Sequence, residues 1–252
     1  MTESTFPSIR RSRDADLELI RNWLFGQPPE IESLKANWSL TRQAHLDGDL
    51  WVYEDLGNKS PIAYFWGGLN TTSSIIDIQH GWRRKGIGRQ IVLYLEHRSC
   101  VEGNSLLEIE CAPESSEGFW KKMGFETVST RGKLIARKAL EIWHDLSSSA
   151  EVVGVEVRFY PNEVKWKKDT PAFIKYDLLG AKRQDESIQL SRQVGYFHQY
   201  EDDLIAEVVV SGHCIYKDKL RYQRARELGF VDCGAGFTLD VLIPPDLVML
   251  EA

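Results

Sequence analysis

The sequence predicts an α+β protein. Strands and helices in mixed order are expected over residues 1–146, and a smaller β-rich domain over 147–252. Three observations lead there. Strand-like and helix-like runs interleave through the first half. A basic glycine turn, RRKGIG at 83–88, lies between an apolar run and an amphipathic one. Past the polar run at 147–149 the chain turns to β-branched and aromatic stretches separated by Gly, Pro and Asp. At 252 residues, 42% hydrophobic and 27% charged, the composition is that of a globular chain of one large or two modest domains.

The elements follow in order. Residues 8–23 read as a strand and an amphipathic helix, with Asp14 or Asp16 at the helix start, where a carboxylate is favoured. Runs 50–54 and 61–66 read as strands joined by a turn at 56–60, with Gly57 and Asn58 as turn formers. A strand at 74–78 (SIIDI) leads into the glycine turn, and 89–98 (RQIVLYLEHR) is helix-like. Residues 106–111 (LLEIEC) alternate as a strand does. A loop at 112–116 and a short helix at 117–123 follow, and Gly124 is suited to cap that helix in a left-handed conformation. Runs 126–129 and 134–140 bracket a turn at 130–133. In the second half, strands are expected at 152–160, 172–179, 195–198, 204–210 and 237–243, with one helix at 219–228 ended by Gly229. RELGF at 226–230 echoes KKMGF at 121–125, but no glycine turn precedes it, so it reads as a capped helix.

The turn at 83–88 is where chemistry concentrates. A strand delivers the backbone to a turn that opens on a helix N-terminus, where the first amides lack intrahelical partners and the dipole end is positive. Gly86 and Gly88 let the backbone approach an anion and adopt positive φ. Arg83, Arg84, Lys85 and Arg89 surround the spot with cations. This is a phosphate cradle. A dinucleotide fingerprint needs a third glycine where Ile91 stands, and no Gly-Lys-Ser/Thr follows to make a P-loop.

Arg83, Gly86 and Gly88 match R/Q-x-x-G-x-G/A, and Phe119, Trp120, Gly124 and Phe125 match a later aromatic-Tyr-x-x-x-Gly-Phe pattern, in the same order and setting. On these residues the chain, over roughly residues 6 to 140, resembles the GNAT (GCN5-related N-acetyltransferase) family, which uses acetyl-CoA. The resemblance implies a mixed, mostly antiparallel sheet flanked by helices over residues 1–146, and direct transfer of acetyl from acetyl-CoA to a primary amine in a ternary complex. Amides from Arg84 to Arg89, Ile87 included, would hold the pyrophosphate. An amide near Ile78 would stabilise the oxyanion, a donor role worth about 3 kcal/mol.

An alkylammonium must lose a proton before it attacks. Many relatives carry a glutamate on the fourth strand, where this chain has Asp77; Glu108, Glu110 and His80 are further candidates. By alternation, Glu108 and Glu110 lie opposite Leu107 and Ile109, and a solvated sheet face is the plain alternative for both. Trp120 departs from the family tyrosine that protonates departing thiolate. An indole N–H donates but has no accessible acid pKa, so Trp120 is left with packing on the pantetheine arm, donation to sulfur, or core packing. Acid assistance would then come from Ser115, Ser116, Cys111 or water. The acceptor pocket would be built from residues 25–42, with Pro28, Pro29 and Trp38, and carries no readable motif.

Composition narrows the classes further. A net charge of −6 argues against nucleic acid as a partner, without excluding a local basic patch. Four cysteines without C-x-x-C pairing and six scattered histidines indicate reduced thiols and no metal site. No signal peptide or membrane-spanning run is expected, so the expected setting is cytoplasmic. Two alternatives to the transferase stand: an acyl-CoA sensor that has lost turnover, and a transferase acting on aminoacyl-tRNA or a ribosomal protein. A homodimer through either domain is left open.

Overall fold

The computed structural model describes residues 6–28, 31, 34–69, 74–130, 132–146, 150–161, 171–197 and 204–244. The polar run at 147–149, Pro29 and the turn residue at 131 lie outside them, as does the end of the expected 195–198 strand. Packing divides the chain into two compact units, one of residues 1–102 and 107–138, the other of 103–106 and 139–252.

The first unit opens with β1 (Ile9–Arg11) and α1 (Asp14–Phe25). Asp16, three positions into the helix, accepts the Arg13 amide at 2.7 Å, which caps the first turn. Asp16 also takes a forked contact from Arg10 (2.6 and 3.1 Å), and Arg10 Nε donates to Glu54 as well. Of the two aspartates expected near the helix start, Asp16 is thus the structural one. Ile20 and Leu24, one turn apart, are fully buried against Leu50, Val52, Tyr64 and Ile75. After α2 (Trp38–Leu46) come β2 (Trp51–Glu54), β3 (Pro61–Trp66) and β4 (Ile75–Ile78), and the antiparallel sheet runs β1-β2-β3-β4. The helix α3 (Ile87–Val101) buries Ile87, Ile91 and Leu95 along one stripe. It starts two residues before the apolar periodicity suggested, because Gly86 caps it in the left-handed region. A second sheet, ordered β5-β7-β6, contains β5 (Leu106–Glu110), β6 (Glu126–Thr130) and β7 (Lys133–Ala139), with α4 (Glu117–Lys122) between β5 and β6.

The second unit is built on a seven-stranded antiparallel sheet. Its strands are β8 (Val152–Tyr160), β9 (Ile174–Lys182), β10 (Ile188–Phe197), β11 (Ile205–Val210), β12 (His213–Lys219), β13 (Phe230–Asp232) and β14 (Gly236–Leu242). They are ordered β12-β11-β8-β9-β10-β14-β13. Val153, Val155, Val157 and Phe159 alternate inward from β8 onto Leu190, Tyr196, Val208 and Leu239. The expected helix at 219–228 shrinks to α5 (Gln223–Glu227), because Lys219 pairs with Ile205 at the end of β12. β10 begins seven residues before the expected strand. Its polar residues at 189 and 191–193 hid it, and its pairing with both β9 and β14 makes it a strand all the same. The RELGF echo has a local counterpart: α4 and α5 each end at a glycine with positive φ, followed by a phenylalanine that enters a strand hairpin.

Candidate functional site

The turn from β4 to α3 is an arrangement of unpartnered backbone donors. Gly86 has φ +84°, and a Cβ placed there meets nothing within 4 Å, so this glycine is needed for its backbone conformation at an open surface. Arg84 also sits at positive φ (65°). The first helical bond of α3 is Gln90 N–H to Gly86 carbonyl, at 3.2 Å. The amides of residues 84–89 donate to no group among the described residues. Arg84, Lys85 and Arg89 are exposed beside them, and the Lys85 ammonium lies 4.4 Å from the centre of the Trp82 ring. Six consecutive amides without partners among the described residues, at a helix start and beside three cations, suit an anion such as a diphosphate.

Gly88 is needed for a different reason. It is buried, and a Cβ there would lie 3.2 Å from the Phe119 ring and 3.4 Å from Ile78 Cδ1. Phe119 therefore brings α4 against the start of α3 and the end of β4. The sequence motif located Phe119 without revealing this contact.

Strand β4 is last in the order of its sheet and, among the described residues, pairs with β3. Gln79 N–H donates to the Ile62 carbonyl at 3.0 Å, which fixes the pairing parity. Tyr64 and Asp77 bond each other's backbone, whereas the N–H groups of Ile76 and Ile78 point to the open edge. On that edge the Ile78 carbonyl accepts Arg83 Nε at 2.9 Å. Arg83 Nη2 lies 3.3 Å from Asp77 Oδ1. The guanidinium thus reaches back to β4.

Asp77 is 5% exposed. The Leu34 amide approaches Oδ2 at 3.4 Å. Burial pushes the carboxyl above its ordinary value, while the Leu34 and Ile78 amides and the Arg83 charge pull the other way. Its cross-strand neighbour Tyr64 is fully buried, and burial beside Asp77 drives the phenol upward as well. Thr41, the nearby hydroxyl, opposes that rise and donates to the Asn37 carbonyl at 3.2 Å, and among the described residues the Tyr64 hydroxyl has no partner at hydrogen-bond geometry. Tyr64 and Leu34 were not legible as site residues, since no motif marks either.

The remaining candidates separate. Glu108 is buried rather than on a solvated face, because Arg137 of β7 covers it at 2.7 Å. Glu110 pairs with Lys133 at 2.6 Å, and among the described residues it shares no partner with Asp77. His80 is exposed in a 3-10 turn after β4. Trp120 is 4% exposed, with Phe119 and Phe125 edge-on at 5.1 Å each, so its indole is mostly packing. The Cys111 thiol is buried near Ser116, and burial followed by the Glu117 charge raises its pKa.

A trough of about 890 Å³ lies on the second unit, lined by Trp143, Tyr176, Leu179 and Arg192 among others. Its charges are already matched: Glu156 with Arg158 and Lys175, Asp177 with Lys175, Arg192 with Glu141. The first unit, with its unpartnered amides, is the better candidate. Among the described residues no cluster of three or more His, Cys, Asp or Glu is placed to hold a metal, and no helix is long and apolar enough to cross a membrane.

The chain is of α+β class, and about half of it is similar to solved structures of GNAT acetyltransferases. One, a GNAT-family acetyltransferase from Listeria monocytogenes, is 11% identical with a TM-score of 0.43, over 52% of this chain and 94% of that one. A ribosomal-protein-alanine N-acetyltransferase from Brucella melitensis is 19% identical with a TM-score of 0.39, over 52% and 99%. An N-acetyltransferase from Thermoplasma acidophilum, solved with coenzyme A, is 16% identical with a TM-score of 0.38, over 52% and 98%. No family model and no curated protein matches the chain.

Proposed function

We propose that this protein is an N-acetyltransferase that moves an acetyl group from acetyl-CoA to a primary amine by direct attack in a ternary complex. The observation that carries the reading is the set of unpartnered amides at 84–89 beside Arg84, Lys85 and Arg89. In this reading residues 1–146 form the CoA-binding domain, and the β-rich residues 147–252 form a second domain that shapes acceptor access or oligomerisation. The cosubstrate supplies an activated acyl thioester; the protein's own groups hold it, orient the amine and manage protons.

The amides of 84–89 would grip the diphosphate. In this reading an amide near Ile78, on the edge of β4, would stabilise the oxyanion. Asp77, the adjacent residue, is the group we assign as base. Burial raises a carboxyl toward the range where it accepts a proton from an ammonium more readily. Glu110, tied to Lys133, is a weaker candidate. Trp120 packs beside Phe119 and donates no acid proton. The departing thiolate would take its proton from water, Ser115, Ser116 or Cys111, whose thiol burial makes a weaker acid than usual.

A second reading, an acyl-CoA sensor without turnover, is favoured by Trp120 standing where an acid is expected. Thiol release from acetyl-CoA against a panel of primary amines decides between them. Release that depends on one amine class supports the transferase. Tight CoA binding with no release for any amine supports the sensor.

A further inference from the structure

Arg83 holds the first position of the glycine motif, where its charge invites assignment to the phosphate. Its guanidinium is engaged elsewhere: Nε donates to the Ile78 carbonyl at 2.9 Å, and Nη2 lies 3.3 Å from Asp77 Oδ1. Those partners are consecutive on β4, one main-chain and one side-chain. A planar guanidinium reaches both because its donors diverge at a fixed angle, which an ammonium cannot reproduce. Arg83 also immediately precedes Arg84, the first unusual backbone conformation of the cradle. One side chain therefore joins the start of the cradle to the strand that carries the base.

We propose that Arg83 is a positioning residue rather than a phosphate ligand, clamping the Asp77 carboxylate and the Ile78 carbonyl so that base and edge amide stay in register with the cradle. This rests on the transferase reading for its catalytic meaning, but the clamp itself does not. Asp77 is met by the Tyr64 phenol from β3, the Leu34 amide from the segment before α2, the Ile78 amide from its own strand, and the Arg83 charge from the turn. Among the described residues Arg83 is the charged group of this set, so its removal takes away the cation that favours the buried carboxylate.

The test uses the full chain and four variants: Arg83→Gln, Arg83→Lys, Asp77→Asn and the Gln/Asn double variant. Three readouts are taken: CoA affinity by calorimetry, kcat and KM by thiol release across pH, and melting temperature across pH. Arg83→Gln should keep its CoA affinity within about threefold and lose about 100-fold in kcat, the scale expected when a catalytic group is misplaced by about 1 Å. The acidic limb of its rate profile should move to higher pH, since the cation that favours ionised Asp77 is gone. Arg83→Lys should recover the pH limb more than the rate, because it restores charge without the fork. The melting-temperature loss of Arg83→Gln at neutral pH should shrink in the Asp77→Asn background.

A more than tenfold loss of CoA affinity with an unmoved pH profile would make Arg83 a phosphate ligand and overturn the proposal. Additive melting-temperature losses in the double variant would do the same. If the wild-type chain bound no CoA, the transferase reading would fail, while the coupling between Arg83 and Asp77 would still be decided by the melting data.

Discussion

Replacing Gly86 by glutamate perturbs the cradle in two separable ways. The residue sits at φ +84°, so any side chain costs about 1–2 kcal/mol in backbone strain. Nothing lies within 4 Å of a Cβ there, so no clash adds to that, and the fold should survive with a modest drop in melting temperature. The new carboxylate then faces the diphosphate. Two unit charges about 4 Å apart repel by about 1 kcal/mol in water and about 4 kcal/mol at an effective dielectric of about 20. At this exposed turn the total against two phosphate charges is about 2–4 kcal/mol after screening, which weakens Kd by about 30- to 1,000-fold. Gly86→Ala is the control: it carries the strain without the charge and should bind CoA nearly as wild type does. Calorimetry with CoA at two salt concentrations measures both variants, and added salt should narrow the gap between them. A folded Gly86→Glu protein whose CoA affinity stays within threefold of wild type would refute the cradle.

Three further outcomes are expected. Trp120→Phe should lower activity only several-fold and stability by about 1–2 kcal/mol, because the buried indole serves mainly as packing between Phe119 and Phe125; a loss of several orders of magnitude in thiol release would give its N–H a chemical role. Asp77→Asn should abolish amine-dependent release yet stabilise the fold at neutral pH. The native carboxyl lies above its ordinary value, so the wild-type fold is penalised as pH rises through the ordinary carboxylate range to the folded one, and the penalty persists above it. The melting-temperature gain of Asp77→Asn should therefore be small at low pH, grow through that window and then level off; a gain independent of pH would contradict the assignment. Arg137→Ala leaves buried Glu108 without its cation and should cost about 3–5 kcal/mol in denaturant unfolding, whereas Glu108→Leu with Arg137→Met should cost far less.

What the sequence made legible was local. Gly86 followed by an apolar helical stripe marks a helix start, and Gly124 ahead of Phe125 marks a helix end, because left-handed caps depend on a few neighbouring residues. Tertiary pairing was not legible. β10 is rich in polar residues and becomes a strand because β9 and β14 bond both its edges, and Lys219 left its expected helix because Ile205 pairs with it. The site divides along the same line. The glycine turn at a helix start could be placed from spacing alone. That Gly88 makes room for Phe119, that Arg137 covers Glu108, and that Arg83 turns back to Asp77 are contacts between segments far apart in sequence or facing in ways a motif does not encode.

The central claim is tested most directly by titrating coenzyme A into isotope-labelled protein and following backbone amide resonances. The largest shifts should fall on residues 84–89, with a smaller one at Ile78, and they should saturate together. Saturable shifts confined to other parts of the chain, or none at millimolar coenzyme A, would contradict the account.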